Sequence, residues 1–172
     1  DRVGAPSLSP DGSLVAFTVT VLHPEKNTSN SDVWIVPSDG SAPPRRLTWN
    51  EGGDGTPVFS PDGKRLAFVS KRGEEPPQLY LLPLSGGEAE RITALPVPVD
   101  DPRWFPDGKG LAFVTTTWPD LNDDFEDAAD PPAVDNRDRI NQNSAGGALQ
   151  WSVVSGGNQI AVLQFPLGRP QQ

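Results

Sequence analysis

The sequence predicts an all-β protein: a partial β-propeller of four-stranded antiparallel blades, about three of them, with the first hairpin of a fourth. Three observations carry this. One phrase occurs three times, as Ser9-Pro10-Asp11-Gly12, Ser60-Pro61-Asp62-Gly63 and Phe105-Pro106-Asp107-Gly108. Each copy is followed at the same distance by an apolar triplet, Val15-Ala16-Phe17, Leu66-Ala67-Phe68 and Leu111-Ala112-Phe113. The aspartates stand 51 and 45 residues apart. A strand-bearing unit recurring at that period is the mark of a solenoid, array or propeller.

The second unit shows the elements most clearly. Thr56-Pro57-Val58-Phe59-Ser60 reads as a short strand. Pro61-Asp62-Gly63 turns it: proline presets φ, aspartate can bond its own backbone, and glycine accepts positive φ. Arg65 to Ser70 returns, with Leu66 and Phe68 on one face and Ala67 and Val69 on the other. Both faces are apolar, as in a strand covered on two sides. After a loop from Lys71 to Pro77, Gln78 to Pro83 forms a third strand. Leu84 to Gly87 turns, and Glu90-Arg91-Ile92-Thr93 makes a short, charged fourth strand suited to an exposed edge. A four-stranded unit of this length fits a propeller blade.

The first unit follows the same order. Its opening hairpin runs from Ala5 to Phe17, a long loop is expected from about Leu22 to Ser31, and Asp32 to Pro37 matches the third strand. Arg45-Arg46-Leu47-Thr48 then matches Glu90-Arg91-Ile92-Thr93. The third unit starts well at Pro102 to Phe105 and Leu111 to Val114 and then loses the pattern. Leu149 to Ser152 and Gln159 to Leu163 read as a weaker opening hairpin, with Trp151 lying 47 residues after Trp104. The expected organisation is blade 1 over 5–48, blade 2 over 56–93, blade 3 over 101–148 with an acidic insertion at 119–148, and the start of blade 4 over 149–167.

Composition narrows the function. The chain of 172 residues carries 14 Lys and Arg against 23 Asp and Glu, a net charge of -9. That balance argues against nucleic acid and anionic membrane surfaces as partners. There is no cysteine, so disulfides and thiolate metal sites are excluded. No apolar run is long enough to span a membrane as a helix, and the expected compartment is the cytoplasm. The chain begins at Asp1 and holds no methionine, so a preceding segment is expected.

No catalytic, cofactor-binding or metal-binding residue is expected in the chain, although several features invite such a role. Asp120, Asn122 and Asp124 match the first ligand positions of a calcium loop. Phe125 stands where that loop needs glycine and Pro131 where it needs glutamate, so a solvated insertion is the better reading. His23 is the only histidine and has no partner cluster. Glu74-Glu75 could grip a peptide amine but sits in what looks like an ordinary loop. Trp34, Trp104 and Trp151 occupy repeat positions and read as blade core, whereas Trp49 and Trp118 lie at strand ends. Asn27-Thr28-Ser29 is a glycosylation sequon.

Ser-Pro-Asp-Gly with Leu-Ala-Phe, Val33-Trp34-Ile35-Val36-Pro37 and Arg45-Arg46-Leu47-Thr48 resemble TolB-type propeller repeats. More closely, they resemble the N-terminal propeller of the prolyl oligopeptidase family of serine peptidases, especially its acylaminoacyl-peptidase-like branch. Val3 to Gly12, Gly86 to Thr93 and Trp118 to Leu121 carry that likeness. The resemblance implies a propeller of seven or eight blades capping an α/β-hydrolase domain with a Ser-Asp-His triad and filtering peptide substrates. The chain holds no Gly-x-Ser-x-Gly elbow, so the implied partners are a catalytic domain and further blades outside it and a peptide; a second copy of the protein is a further expected partner, since the open faces of an incomplete propeller call for cover. The alternatives are a non-catalytic TolB-type propeller that binds another protein, and a structural repeat protein.

Overall fold

The computed structural model describes residues 1–116, 148–153 and 158–164, which form three four-stranded antiparallel sheets. The first holds β1 (Arg2–Leu8), β2 (Leu14–His23), β3 (Thr28–Pro37) and β4 (Arg45–Arg46) in chain order. The second repeats that order with β5 (Asp54–Phe59), β6 (Arg65–Ser70), β7 (Gln78–Pro83) and β8 (Glu90–Arg91). The third contains β9 (Val99–Trp104), β10 (Gly110–Thr116), β11 (Ala148–Val153) and β12 (Asn158–Gln164).

The repeated phrase is a self-bonded turn. The Gly12 N–H donates to the Ser9 carbonyl at 2.9 Å, and Gly63 and Gly108 make the same bond to Ser60 and Phe105. Their φ values of 74°, 68° and 68° are left-handed, where glycine carries no Cβ penalty. The Ser60 hydroxyl donates to Asp62 Oδ1 at 2.6 Å and accepts the Arg65 N–H at 2.9 Å, while Asp62 Oδ1 also accepts the Lys64 N–H. Ser9, Asp11, Ser13 and Leu14 build the same net. The Ser9 hydroxyl, then the Ser13 amide and hydroxyl, hold the Asp11 carboxyl at about 2, below its ordinary 3.8. The Ser60 hydroxyl and the Lys64 amide lower Asp62 likewise.

These turns stack from blade to blade. A Cβ built on Gly63 would stand 3.7 Å from Pro10 Cδ, and one on Gly108 would stand 3.8 Å from Pro61 Cδ. The three prolines therefore mark equivalent bends in successive sheets.

The Arg-Leu-Thr phrase closes each of the first two blades. The Val33 N–H donates to Thr48 Oγ1 and the Leu79 N–H to Thr93 Oγ1, so a side chain continues the ladder where the two-residue fourth strand stops. Arg46 Nε and Arg91 Nε each donate to the carbonyl of the threonine two residues on, at 2.7 and 2.6 Å. Arg46 also pairs with buried Asp32 at 2.7 Å.

Side-chain alternation along the second strands organises the core. Leu66 and Phe68 pack with Ala16, Val33 and Ile35 of the first sheet. Ala67 packs the other way, with Leu111 and Phe113 of the third sheet, and Val69 lies against the same cluster. Phe68 and Phe113, each facing the preceding sheet, are fully buried. Phe17, their counterpart in the first sheet, is only half-buried. Val3 and Leu8 of β1 are 72% and 60% exposed, so one flank of the first sheet is open in this structure.

Two expectations are corrected. The loop expected from Leu22 to Ser31 is mostly strand: β2 and β3 stay paired from Leu14↔Pro37 to His23↔Thr28, leaving a single 3-10 turn at Pro24–Lys26. β-branched residues and the Thr20–Ser31 hydroxyl contact at 2.8 Å carry the ladder outward. The hairpin expected to start a fourth blade over 149–167 instead completes the third sheet, in the order β11-β12-β10-β9. β10 has a bonding edge beside β9 and another to satisfy, and β12 pairs along it from Gly110↔Gln164 to Thr116↔Asn158. An opening hairpin and a closing hairpin share one alternating pattern, so the residues did not distinguish them.

Two outcomes follow from this packing. Phe68→Ala and Phe113→Ala should each destabilise by about 3–5 kcal/mol, through lost burial and the cavity left behind. Phe17→Ala should cost clearly less, because Phe17 is only half-buried; denaturant titration of the three variants checks this. Asp11 is depressed in the folded chain, so its contribution is present above about pH 3.8 and is lost as pH falls through about 2. Melting temperatures between pH 5 and 2 should therefore fall less steeply in Asp11→Asn than in the parent.

Candidate functional site

The end of the sheets opposite the Pro-Asp-Gly turns is less regular. Here each first strand carries a bulge with left-handed backbone just before a proline: Ala5 at φ 49°, Thr56 at 46° and Asp101 at 48°. The register shifts at the same places, between Gly4 and Ser7, between Gly55 and Val58, and opposite Ala112 and Val114. A non-glycine residue at such φ is strained by an amount on the order of 1–3 kcal/mol, and bulges re-aim the residues beside them.

At the bulge of the second sheet lies a cavity of about 570 Å³. Val69, Pro77, Pro98, Val99 and Val114 supply apolar wall, while Ser31, Asp54, Thr56, Lys71, Asp100 and Thr115 supply polar groups. Its walls are tied together. The Lys71 N–H donates to the Gly53 carbonyl, the Val99 N–H to the Pro77 carbonyl, and the Thr115 hydroxyl to the Pro98 carbonyl. Gly52 permits the tight crossing, since a Cβ there would lie 2.1 Å from the Lys71 carbonyl oxygen. Gly53 turns the chain at φ 91°.

Asp54 is 2% exposed and poorly satisfied. The Asn50 side-chain amide gives its best hydrogen bond to the Lys71 carbonyl at 2.5 Å and reaches Asp54 Oδ1 only at 3.5 Å. Asp54 Oδ2 has no hydrogen-bond partner among the described residues, and neither have Thr56 Oγ1 and Asn30 Oδ1. All three are oxygens on residues gathered around the start of β5, Asn30 Oδ1 lying 3.9 Å from where a Cβ on Gly53 would sit.

The residues singled out from the sequence lie elsewhere. His23 is at the tip of the long hairpin, 3.7 Å from Glu25, with both side chains exposed. Glu75 is ion-paired with Arg91 Nη1 and so is engaged, while Glu74 stands exposed beside it. Among the described residues no three His, Cys, Asp or Glu side chains come together as a metal-binding group. Trp34 and Trp104 are half-buried and not full core. Trp104 donates its Nε1–H to the Val58 carbonyl and lies under the Arg65 guanidinium. Trp49 is 68% exposed beside Arg46. Asn27 sits in an exposed left-handed turn at φ 50°. Asp120, Asn122, Asp124, Trp118 and the side chain of Trp151 lie outside the described residues. Sequence reading passed over Asp54; its one signal was an aspartate set among Gly52, Gly53 and Gly55.

Comparison with known proteins agrees with the geometry. The chain is 31% identical over 141 residues to the uncharacterized peptidase YuxL of Bacillus subtilis, covering 81% of this chain and 19% of that protein. The chain thus spans less than a fifth of the length of the first curated relatives it matches. Among solved structures it is similar to the acylaminoacyl peptidase of Pyrococcus horikoshii, with a TM-score of 0.55 and 26% identity over 76% of this chain and 20% of that one. It is also similar to a TolB of Agrobacterium tumefaciens, with a TM-score of 0.54 and 28% identity over 68% of this chain and 39% of that one. The family described as the TolB beta propeller domain matches residues 1–123. Repeated turns, stacked four-stranded sheets and that match together make this chain a member of the TolB beta propeller domain family.

Proposed function

We propose that the chain is the N-terminal portion of the propeller of a serine peptidase of the acylaminoacyl-peptidase or oligopeptidase type. In this reading it gates access and filters peptide substrates by size for an α/β-hydrolase domain that lies outside the chain. The observation that carries the reading is the likeness to a peptidase over 81% of this chain against 19% of that relative. The open flank of the first sheet supports it, because apolar positions such as Val3, Leu8 and Phe17 call for a neighbouring blade. The proposed partners are the hydrolase domain, further blades, a short peptide and a second copy of the protein. The proposed compartment is the cytoplasm; among the described residues no helix is long and apolar enough to cross a membrane.

A second reading, a non-catalytic TolB-type propeller that binds another protein, is favoured by the family match and by the Agrobacterium structure. The two part on covalent chemistry. Treated with a fluorophosphonate, the intact protein should carry a label on a serine outside residues 1–172 and should cleave short blocked peptides far faster than folded proteins. Absence of label and of cleavage in the folded, intact protein would leave the binding-module reading in its place.

A further inference from the structure

We infer that the cavity at the start of β5 binds a primary ammonium group on an aliphatic stem, the chemistry of a lysine side chain, with Asp54 as its counter-charge. The inference rests on the cavity and on Asp54, and does not depend on a hydrolase domain. A carboxyl that is 98% buried is strongly disfavoured unless its oxygens find donors or a cation. Asp54 has one contact at 3.5 Å on Oδ1 and none on Oδ2. Among the described residues no lysine or arginine stands within ion-pair distance of it.

Thr56, whose Oγ1 also lacks a partner, lines the same cavity, and the Asp54 carboxylate oxygens can only accept, so a donor with several hydrogens suits the place. An ammonium carries three. The volume of about 570 Å³ exceeds what a bare ion needs. Apolar wall from Val69, Pro98 and Val114 suits methylenes, which bury along such surface while the charged end reaches a polar one. A peptide's own amino terminus would bring amides against these walls and leave them unpaired. A metal ion would want more carboxylates than the single buried one here. Lys71 lies at the exposed rim and repels an incoming cation, so it lowers the affinity.

Calorimetric titration of the intact protein, its serine blocked by phosphonate where one reacts, tests this without turnover. The probes are N-acetyl-lysine methylamide, N-acetyl-norleucine methylamide, 1,5-diaminopentane, triglycine and calcium chloride. The lysine probe should bind at least about tenfold more tightly than the norleucine probe, and Asp54→Asn should lose that margin. The exposed Lys71→Glu, which leaves the core untouched, should tighten lysine binding severalfold at low salt. Binding of the diamine alongside the lysine probe supports a free alkylammonium as a second source; binding of the lysine probe alone supports a peptide side chain. Equal affinity for the lysine and norleucine probes, binding of triglycine or calcium alone, or an unchanged affinity in Lys71→Glu would each overturn the inference. If Asp54→Asn fails to fold, the lysine–norleucine comparison and Lys71→Glu still decide it. Because the readout is binding, failure here leaves the peptidase reading intact, and absence of a reactive serine leaves this inference intact.

Discussion

The fold depends on one constraint: the second strand of each blade is apolar on both faces and has to be covered on both. Leu66 and Phe68 meet the first sheet while Ala67 meets the third, so the second sheet is stable only as the middle of a stack. The large residue looks back to the preceding blade and the small one forward. This size alternation lets neighbouring sheets nest at interior density. It also makes each blade interface the same joint used again, which is why Phe68 and Phe113 are equally buried and Phe17 is not.

Local bonding supplies what those interfaces cannot. The first two blades are narrow, with two-residue outer strands, and their ends would leave backbone groups unpaired. Serine and aspartate side chains satisfy one end through the turn, and threonine with arginine satisfies the other. Where the pattern changes, the bonding changes with it. Phe105 replaces the turn serine in the third unit, and there Asp107 keeps only its bond from the Lys109 N–H. Gln78 stands where the first blade has Asp32. Its amide pins the connector to the third sheet through the Leu95 and Val97 carbonyls and the Leu95 N–H.

The opposite end of the sheets is built differently. Bulges at Ala5, Thr56 and Asp101 hold left-handed backbone before proline at the same position in three sheets. One of them borders the cavity in which Asp54 is buried with too few partners. Strain and an unsatisfied carboxyl meet there, and strained, poorly satisfied places are where functional sites are commonly built.

The sequence alone makes legible the repeat, the turn chemistry, the two-faced second strands and the closing threonines, because each rests on residues within one unit. It also showed that no triad can be assembled from these residues. The remaining features depend on pairing and packing between units. The loop from Leu22 to Ser31 became strand because a long antiparallel ladder outweighed its polar composition. The last hairpin joined the third sheet because an alternating pattern specifies a strand but not its neighbour. Asp54 came to border a cavity whose lining is drawn from three sheets, a property that no single repeat contains.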